Sequence, residues 1–308
     1  SKEEGEIVVS AKLFLDIVRR LPEEIVFIET DERMVTYIAC GKVNYQIVGM
    51  SSVEYPDLPS FEQTDRITLN AKILRDMIRQ TVYAVSENTA KPIYTGSLYE
   101  IEDGVFKIIA IDGYRMAIRS ENVDSESKNR FVVPGKTQHE VLKLLTDDEE
   151  NTEIIIGQRH ITFKIKNYRI ISRLIEGTFI EYKSAIPKET KTEVVINTRT
   201  IIEAVERMSL LNNDRIQSPV RCIFSDDEIK LSCTSAVGRA NDVISVPIIG
   251  ESVEIGFNNR YLLDALKNAD TDEIKLILNG SLTAMIVKPV KGDSYLSIVV
   301  PMRLANEN

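Results

Sequence analysis

The sequence predicts an α+β fold built from repeated βαβββ units, with antiparallel sheet dominating. Two observations carry this prediction. The first is a short pattern met five times: an apolar strand end, a cap-like residue, one spacer, then Lys or Arg opening a helix. It reads Val9-Ser10-Ala11-Lys12, Leu69-Asn70-Ala71-Lys72, Val133-Pro134-Gly135-Lys136, Ile196-Asn197-Thr198-Arg199 and Phe257-Asn258-Asn259-Arg260, with the bases 60, 64, 63 and 61 positions apart. Self-similarity at a fixed period marks a chain made of repeated units. The second observation is period-two alternation between these helices, broken by hairpin signals such as Asp103-Gly104, Asp112-Gly113 and Asn279-Gly280.

Each unit reads in the same order. An apolar strand leads to Ser, Asn or Pro, residues suited to a helix cap or first turn. A helix of about three turns follows. An acid stands four residues after each opening base: Asp16, Asp76, Glu140, Glu203 and Asp264. Another base follows at plus seven in four units (Arg19, Arg79, Lys143, Lys267), whereas the fourth unit has Glu206 there and Arg207 next. Several alternating strands then close the unit, among them Glu153–Ile156 with Ile161–Ile165 around a turn at 158–160, and Ile274–Leu278 with Leu282–Lys288. Pairing the units sets boundaries near Pro56, Pro59 and Pro187: a half-domain at 1–61 and two full domains at 62–188 and 189–308. A single unit of about 60 residues buries too little core to stand alone, so the sequence-based expectation is a further half-domain upstream.

The chain has 308 residues, 43% hydrophobic and 28% charged, as in soluble globular proteins with ample core. No apolar run approaches the ~18 residues of a membrane span, and no signal-peptide pattern opens the chain. No membrane association is expected. Cys40, Cys222 and Cys233 are far apart in apolar sequence, which argues for buried free thiols in a reducing cytoplasm; a Cys222–Cys233 disulfide is the alternative. The net charge of −9 argues globally against a nucleic-acid partner. Its distribution argues the other way. The five helix-opening windows together carry +6, which leaves −15 to the remainder. Bases at plus zero and plus seven share one side of a helix. A solvated face with ion pairs would explain one such helix; five in register point to electropositive faces with a function.

Catalytic constellations are missing from the sequence. Its two histidines, His139 in the third helix and His160 in a turn, lie far from any cysteine cluster, and no Cys/His spacing fits a metal site. Pro134-Gly135-Lys136-Thr137 resembles the end of a phosphate loop, but Arg130 stands where the first Gly is required. The acid pairs Asp147-Asp148 and Asp226-Asp227 sit in charged, turn-like sequence. No enzyme, cofactor or metal is expected. The rival from another class is an α+β enzyme whose repeats are only architectural.

Local residues add a resemblance. Asp112-Gly113-Tyr114-Arg115-Met116 is similar to a D-[GS]-H-R-L segment, and Val300-Pro301-Met302-Arg303-Leu304 to a P-M-R-L carboxyl end. Both belong to the bacterial sliding-clamp family, the beta subunits of DNA polymerase III. The runs 75–82 and 256–266 resemble family helices, and the likeness extends from residue 6 to 304. It implies clamp domains I (second half), II and III over the three segments above. It also implies a head-to-tail homodimer closing a ring around double-stranded DNA, with sheets outside and helices lining the channel. Channel candidates are Lys12, Arg19, Arg20, Lys72, Arg75, Arg79, Lys136, Lys143, Arg199, Arg207, Arg260 and Lys267. Phosphate contacts attract without reading sequence, as a mobile ring requires.

The resemblance further implies a cleft for short client peptides carrying Gln and paired apolar residues. Its walls would include Tyr94, Ile111, Gly113, Arg115, Met116, Ile180, Asn258, Tyr261, Ile298, Val300, Pro301, Met302 and Arg303. Read without the resemblance, Ile111, Met116 and Val300 on strands are plain core. Clients would be the polymerase III catalytic subunit, the clamp loader, and other repair polymerases and repair factors. Tyr114, Ile111 and Ser184 depart from the common His, Thr and basic residue, and Ala305–Asn308 extends past the usual end. At the ring interface Tyr45 and Ile47 would meet the partner protomer's 210–211 pair, Leu210 and Leu211 in this numbering; alternatively all four are intramolecular core. A clamp-fold scaffold that binds peptides without ringing DNA is the alternative function.

Overall fold

The computed structural model describes residues 5–56, 63–146, 150–212 and 218–304. The chain divides into two compact units, Ser1–Ser60 and Phe61–Asn308.

In the first unit, helix α1 (Ala11–Val18) precedes strands β1 (Val26–Thr30), β2 (Val35–Cys40) and β3 (Val43–Val48), which form an antiparallel sheet in that order. Ser10 caps α1, its hydroxyl accepting from the Leu13 N–H. The helix has eight residues rather than three turns, and Arg19 closes it. Pro22 follows three residues on and disfavours helical geometry at the residue before it. Ile17 packs on Ile38 and Ile47 to make the unit's small core.

The second unit strings together four βαβββ repeats. The first is β4 (Gln63–Asn70), α2 (Ala71–Val82), β5 (Gly96–Glu102), β6 (Val105–Ile111) and β7 (Arg115–Asn122). The next is β8 (Asn129–Pro134), α3 (Gly135–Leu144), β9 (Asn151–Gly157), β10 (His160–Ile165) and β11 (Tyr168–Arg173). The third is β12 (Thr192–Asn197), α4 (Thr198–Ser209), β13 (Val220–Ser225), β14 (Glu228–Ser235) and β15 (Gly238–Ser245). After the short strand β16 (Ile248–Gly250) come β17 (Val253–Phe257), α5 (Asn259–Lys267), β18 (Glu273–Leu278), β19 (Met285–Pro289) and β20 (Tyr295–Val299).

All pairings are antiparallel. Two four-stranded sheets, β11-β10-β9-β4 and β15-β14-β13-β17, flank a nine-stranded sheet ordered β16-β12-β18-β19-β20-β7-β6-β5-β8. The joint of the long sheet is β20 on β7, in register from Tyr295↔Arg119 to Val299↔Arg115. Helices pack in pairs, α2 with α3 and α4 with α5. One core lies around Leu74, Met77, Tyr99, Phe106 and Phe163, another around Phe224, Phe257, Leu266 and Tyr295, all buried. Each such side chain contributes about 1.5–3 kcal/mol by leaving water.

Turn chemistry explains the hairpins. Asp103 and Gly104 take φ of 52° and 72° between β5 and β6, and Asp226 and Asp227 take 54° and 57° between β13 and β14. These are the paired left-handed residues a two-residue hairpin needs, and Asp tolerates that region. The sequence-based strand Leu282–Lys288 is corrected: β19 begins at Met285, and Leu282 is exposed in the loop before it. Ile277 pairs with Ile286, so the residues near Leu282 have no opposing strand. The three cysteines are buried and free. The disulfide alternative fails because Cys222 pairs across the ladder with Leu231, not Cys233. Asp147-Asp148, Pro59 and Ala305–Asn308 lie outside the described residues.

Candidate functional site

The opening bases of the five units occupy one position. Lys12, Lys72, Lys136, Arg199 and Arg260 are each the second residue of their helix, and all are exposed. No first turn of α1 to α5 carries an acid. A helix N-terminus carries partial positive charge and favours acids there, so a cation at that end is locally unfavourable. Five such placements in register are an arrangement the isolated helices do not ask for. Asn70, Asn197 and Asn258 offset part of the cost by capping, each side chain accepting from one or two N–H groups of the first turn. Pro134 gives α3 no side-chain cap.

Further along the helices the expected bases are tied to acids. Arg20 lies 3.6 Å from Asp16, and Arg79 lies 3.5 Å from Asp76 and 2.6 Å from Asp270. Lys143 donates to Glu140 at 2.8 Å, and Arg207 to Asp242 at 2.5 Å. Lys267 reaches Glu206 on α4 at 2.6 Å. Arg199 pairs with Glu203 at 2.7 Å and Arg260 with Glu87 at 3.5 Å. The hydrogen bond from Lys143 holds the Glu140 carboxyl below its usual range. Arg19 is exposed beyond α1, and Arg75 is half-buried on α2.

A second group of expected residues converges where β7, β20 and α5 meet. Met116 and Ile298, a cross-strand pair, are buried with Leu98, Ile109 and Phe179. Tyr94 and Ile111 pack half-buried on that cluster, and the Tyr94 ring meets Phe179 edge to face at 5.6 Å. Gly113 takes φ of 94° in the turn between β6 and β7, a conformation glycine adopts without strain. The Asp112 carboxylate accepts from the Tyr114 and Arg115 N–H groups at 2.9 and 3.0 Å and fixes the same turn.

Arg115 is buried at 6% exposure. Its Nε donates to Asp112 at 2.8 Å, and one terminal nitrogen donates to Asp264 of α5. The guanidinium lies 4.6 Å from the Tyr261 ring centre and 5.5 Å from that of Tyr83. Tyr114 stacks on Tyr261 at 5.8 Å, with 18° between the ring planes. The carboxyl end is drawn in by backbone. Val300 N–H donates to Tyr114 O at 2.9 Å, and Met302 N–H to Gly256 O at 2.8 Å. A Cβ on Gly256 would sit 2.6 Å from the Leu304 side chain, so glycine permits that approach. Pro301 and Met302 are half-buried, Arg303 is exposed, Ile180 is 47% exposed, and Asn258 faces its own helix as cap.

Arg115, Met116 and Ile298 are therefore buried beneath this junction and not open at its surface. Tyr83, Asp112 and Asp264 hold the cluster, and no expectation named them as part of it. Asp264 recurs in the five-fold pattern and Asp112 stands in the D-G-Y-R-M segment, so both carried a signal; Tyr83 at the end of α2 carried none. Among the expected interface residues, Leu210 is 82% exposed and Tyr45 37%, while Leu211 packs half-buried on the carboxyl-terminal core. Ile47 is a correction. At 6% exposure it packs under α1 with Ile17 and Ile38, on the sheet face its own unit covers.

Among the described residues no group of three or more His, Cys, Asp or Glu could hold a metal, and no helix is long and apolar enough to cross a membrane. Three family models match the chain in order: the N-terminal domain of the DNA polymerase III beta subunit over residues 1–59, the central domain over 68–181 and the C-terminal domain over 183–303. A beta sliding clamp of Halalkalibacterium halodurans is 34% identical over 98% of this chain and 81% of the relative; one of Bacillus subtilis is 32% identical over the same shares. The crystal structure of the DNA polymerase sliding clamp from Bacillus subtilis superposes with a TM-score of 0.94 at 32% identity, over 99% of this chain and 84% of that one. A putative DNA polymerase III beta subunit from Eubacterium rectale gives 0.93 at 31%, over 98% and 82%. By sequence and by fold, the chain belongs to the DNA polymerase III beta-subunit family of sliding clamps.

Proposed function

We propose that this DNA sliding clamp, which has no catalytic activity of its own, works as a head-to-tail ring dimer that encircles duplex DNA and keeps a polymerase on it. The observation that carries the reading is the cation at the second position of all five helices, with no acid in any first turn. Such placement works against the helix dipole and suits an external anion, and the phosphate backbone of duplex DNA is a dense, repeating polyanion. Lys12, Lys72, Lys136, Arg199 and Arg260 are the leading contacts; Arg19, Arg20, Arg75, Arg79, Lys143, Arg207 and Lys267 are the further ones. Bases shared with neighbouring carboxylates grip weakly, which suits a ring that must slide. In this reading residues 1–61 are the second half of clamp domain I, 62–188 domain II and 189–308 domain III. Tyr45, Leu210 and Leu211 contribute to the protomer interface, and the ring acts in the cytoplasm.

The cluster around Met116, Tyr261 and Val300 is, in the same reading, the cleft for client peptides: the polymerase catalytic subunit, the clamp loader and repair factors. A half-apolar groove with a few fixed polar groups suits short motifs of Gln and paired apolar residues. The test is anisotropy of a labelled Gln-x-x-Leu-Phe peptide against the intact chain and a variant lacking 301–308. Saturable binding near micromolar, about −8 kcal/mol, lost on truncation is the predicted outcome. A folded intact chain that leaves the peptide free contradicts the cleft.

A further inference from the structure

The acid four residues after each opening base has two fates. On four helices it pairs with a base of its own helix or, on α1, two residues past its end: Asp16 with Arg20, Asp76 with Arg79, Glu140 with Lys143 and Glu203 with Arg199. On α5 the pattern breaks. Lys267 turns away to Glu206 of α4, and Asp264 instead accepts from Arg115, 149 residues distant in sequence.

That diversion has a structural consequence at the cleft. A guanidinium held by one carboxylate keeps freedom to swing about its stem. Arg115 is held by two, Asp112 through Nε and Asp264 through a terminal nitrogen, and it lies against the rings of Tyr83 and Tyr261. Planar, multiply hydrogen-bonded arginine is rigid in a way lysine is not. Tyr261 carries the stacked ring of Tyr114, whose carbonyl takes the N–H of Val300. The turn after β6 and helix α5 thus share one fixed guanidinium, the carboxyl-terminal segment joins them through the Tyr114 carbonyl, and Asp264 is the one of the two carboxylate holders that belongs to α5.

We infer that Asp264 is a positioning residue for the client cleft: through Arg115 it sets Tyr261, and with it Tyr114, as the aromatic wall against which an apolar client side chain packs. This rests on the client-cleft reading above. The test is the same labelled peptide titrated with Asp264→Asn, Arg115→Lys, the double variant, and Glu203→Gln, which removes the equivalent acid on α4. Loss of one charge-assisted hydrogen bond predicts about tenfold weaker binding for Asp264→Asn. Arg115→Lys weakens binding similarly, and the double variant is no weaker than the worse single one, because coupled residues are not additive. Glu203→Gln stays within about twofold of the parent, as a surface change away from the cleft should.

Parental affinity in Asp264→Asn, or losses that multiply in the double variant, would overturn the inference. Should Asp264→Asn fail to fold, Arg115→Lys decides alone, and parental affinity there overturns it equally. Failure of the parent chain itself to bind would bring down the cleft reading, and this inference with it, and is told apart by the parent curve.

Discussion

Tyr83 shows how much one side chain can join. It ends α2, and its half-buried ring carries a hydroxyl that meets Tyr295 at 3.0 Å and Ser297 at 2.9 Å, both fully buried on β20. Burial pushes its phenol up from the usual 10.0 to about 12. A raised native value means that the unfolded chain ionises first as pH rises. The stability Tyr83 contributes is therefore complete below about pH 10 and is lost as pH rises through about 12. Urea midpoints measured from pH 9 to 11 should fall more steeply for the parent than for Tyr83→Phe; parallel curves would refute the assignment. At this scale the sequence was uneven. Met116 and Tyr261 stand in segments singled out by resemblance, whereas Tyr83 was not singled out for this cluster, because its hydrogen-bond partners stand more than two hundred residues away. Ile47 misled for a related reason. Alternation placed it on one face of β3 correctly, but only the packed helix shows that α1 covers that face.

Helices were the most legible elements, since caps and opening bases are local. Ser10, Asn70, Asn197 and Asn258 all cap as their positions imply. Helix length was less so: α1 is cut short before Pro22, and the loop at Leu282 mimics an alternating strand. In Lys72→Glu with Lys136→Glu, the new acids sit where helix dipoles favour them, so the thermal midpoint should hold or rise. Duplex binding should weaken meanwhile. The slope of log affinity against log salt should flatten by about 0.9 for each phosphate the variant no longer neutralises. A falling midpoint with an unchanged slope would show that these lysines serve the fold and not an anion.

For the molecule as a whole, the decisive feature is one that no local signal announces. β7 and β20 pair across about 180 residues of sequence and merge strands of the central and carboxyl-terminal repeats into a single nine-stranded sheet. Period-two alternation predicts that strands exist but says nothing about which distant strand completes the ladder. The consequence is one hydrogen-bonded ladder running through the joint, with the proposed client cleft beside it. A continuous ladder through the joint suits a sliding clamp, because a ring restrains DNA only while its protomers keep their shape. The charge pattern fits the same account: local excess of positive charge on helix ends, an acidic remainder, and bases half-neutralised by neighbours such as Glu140 and Glu203.

The most direct test of enclosure is retention on DNA of different topology, with the dimer placed by a clamp loader on nicked circular duplex and washed at high salt. An encircling clamp should stay on the circle through the wash and run off once a single cut linearises it. Release from intact circles under that wash, or equal retention before and after cutting, would contradict encirclement and leave a clamp-fold scaffold that binds peptides.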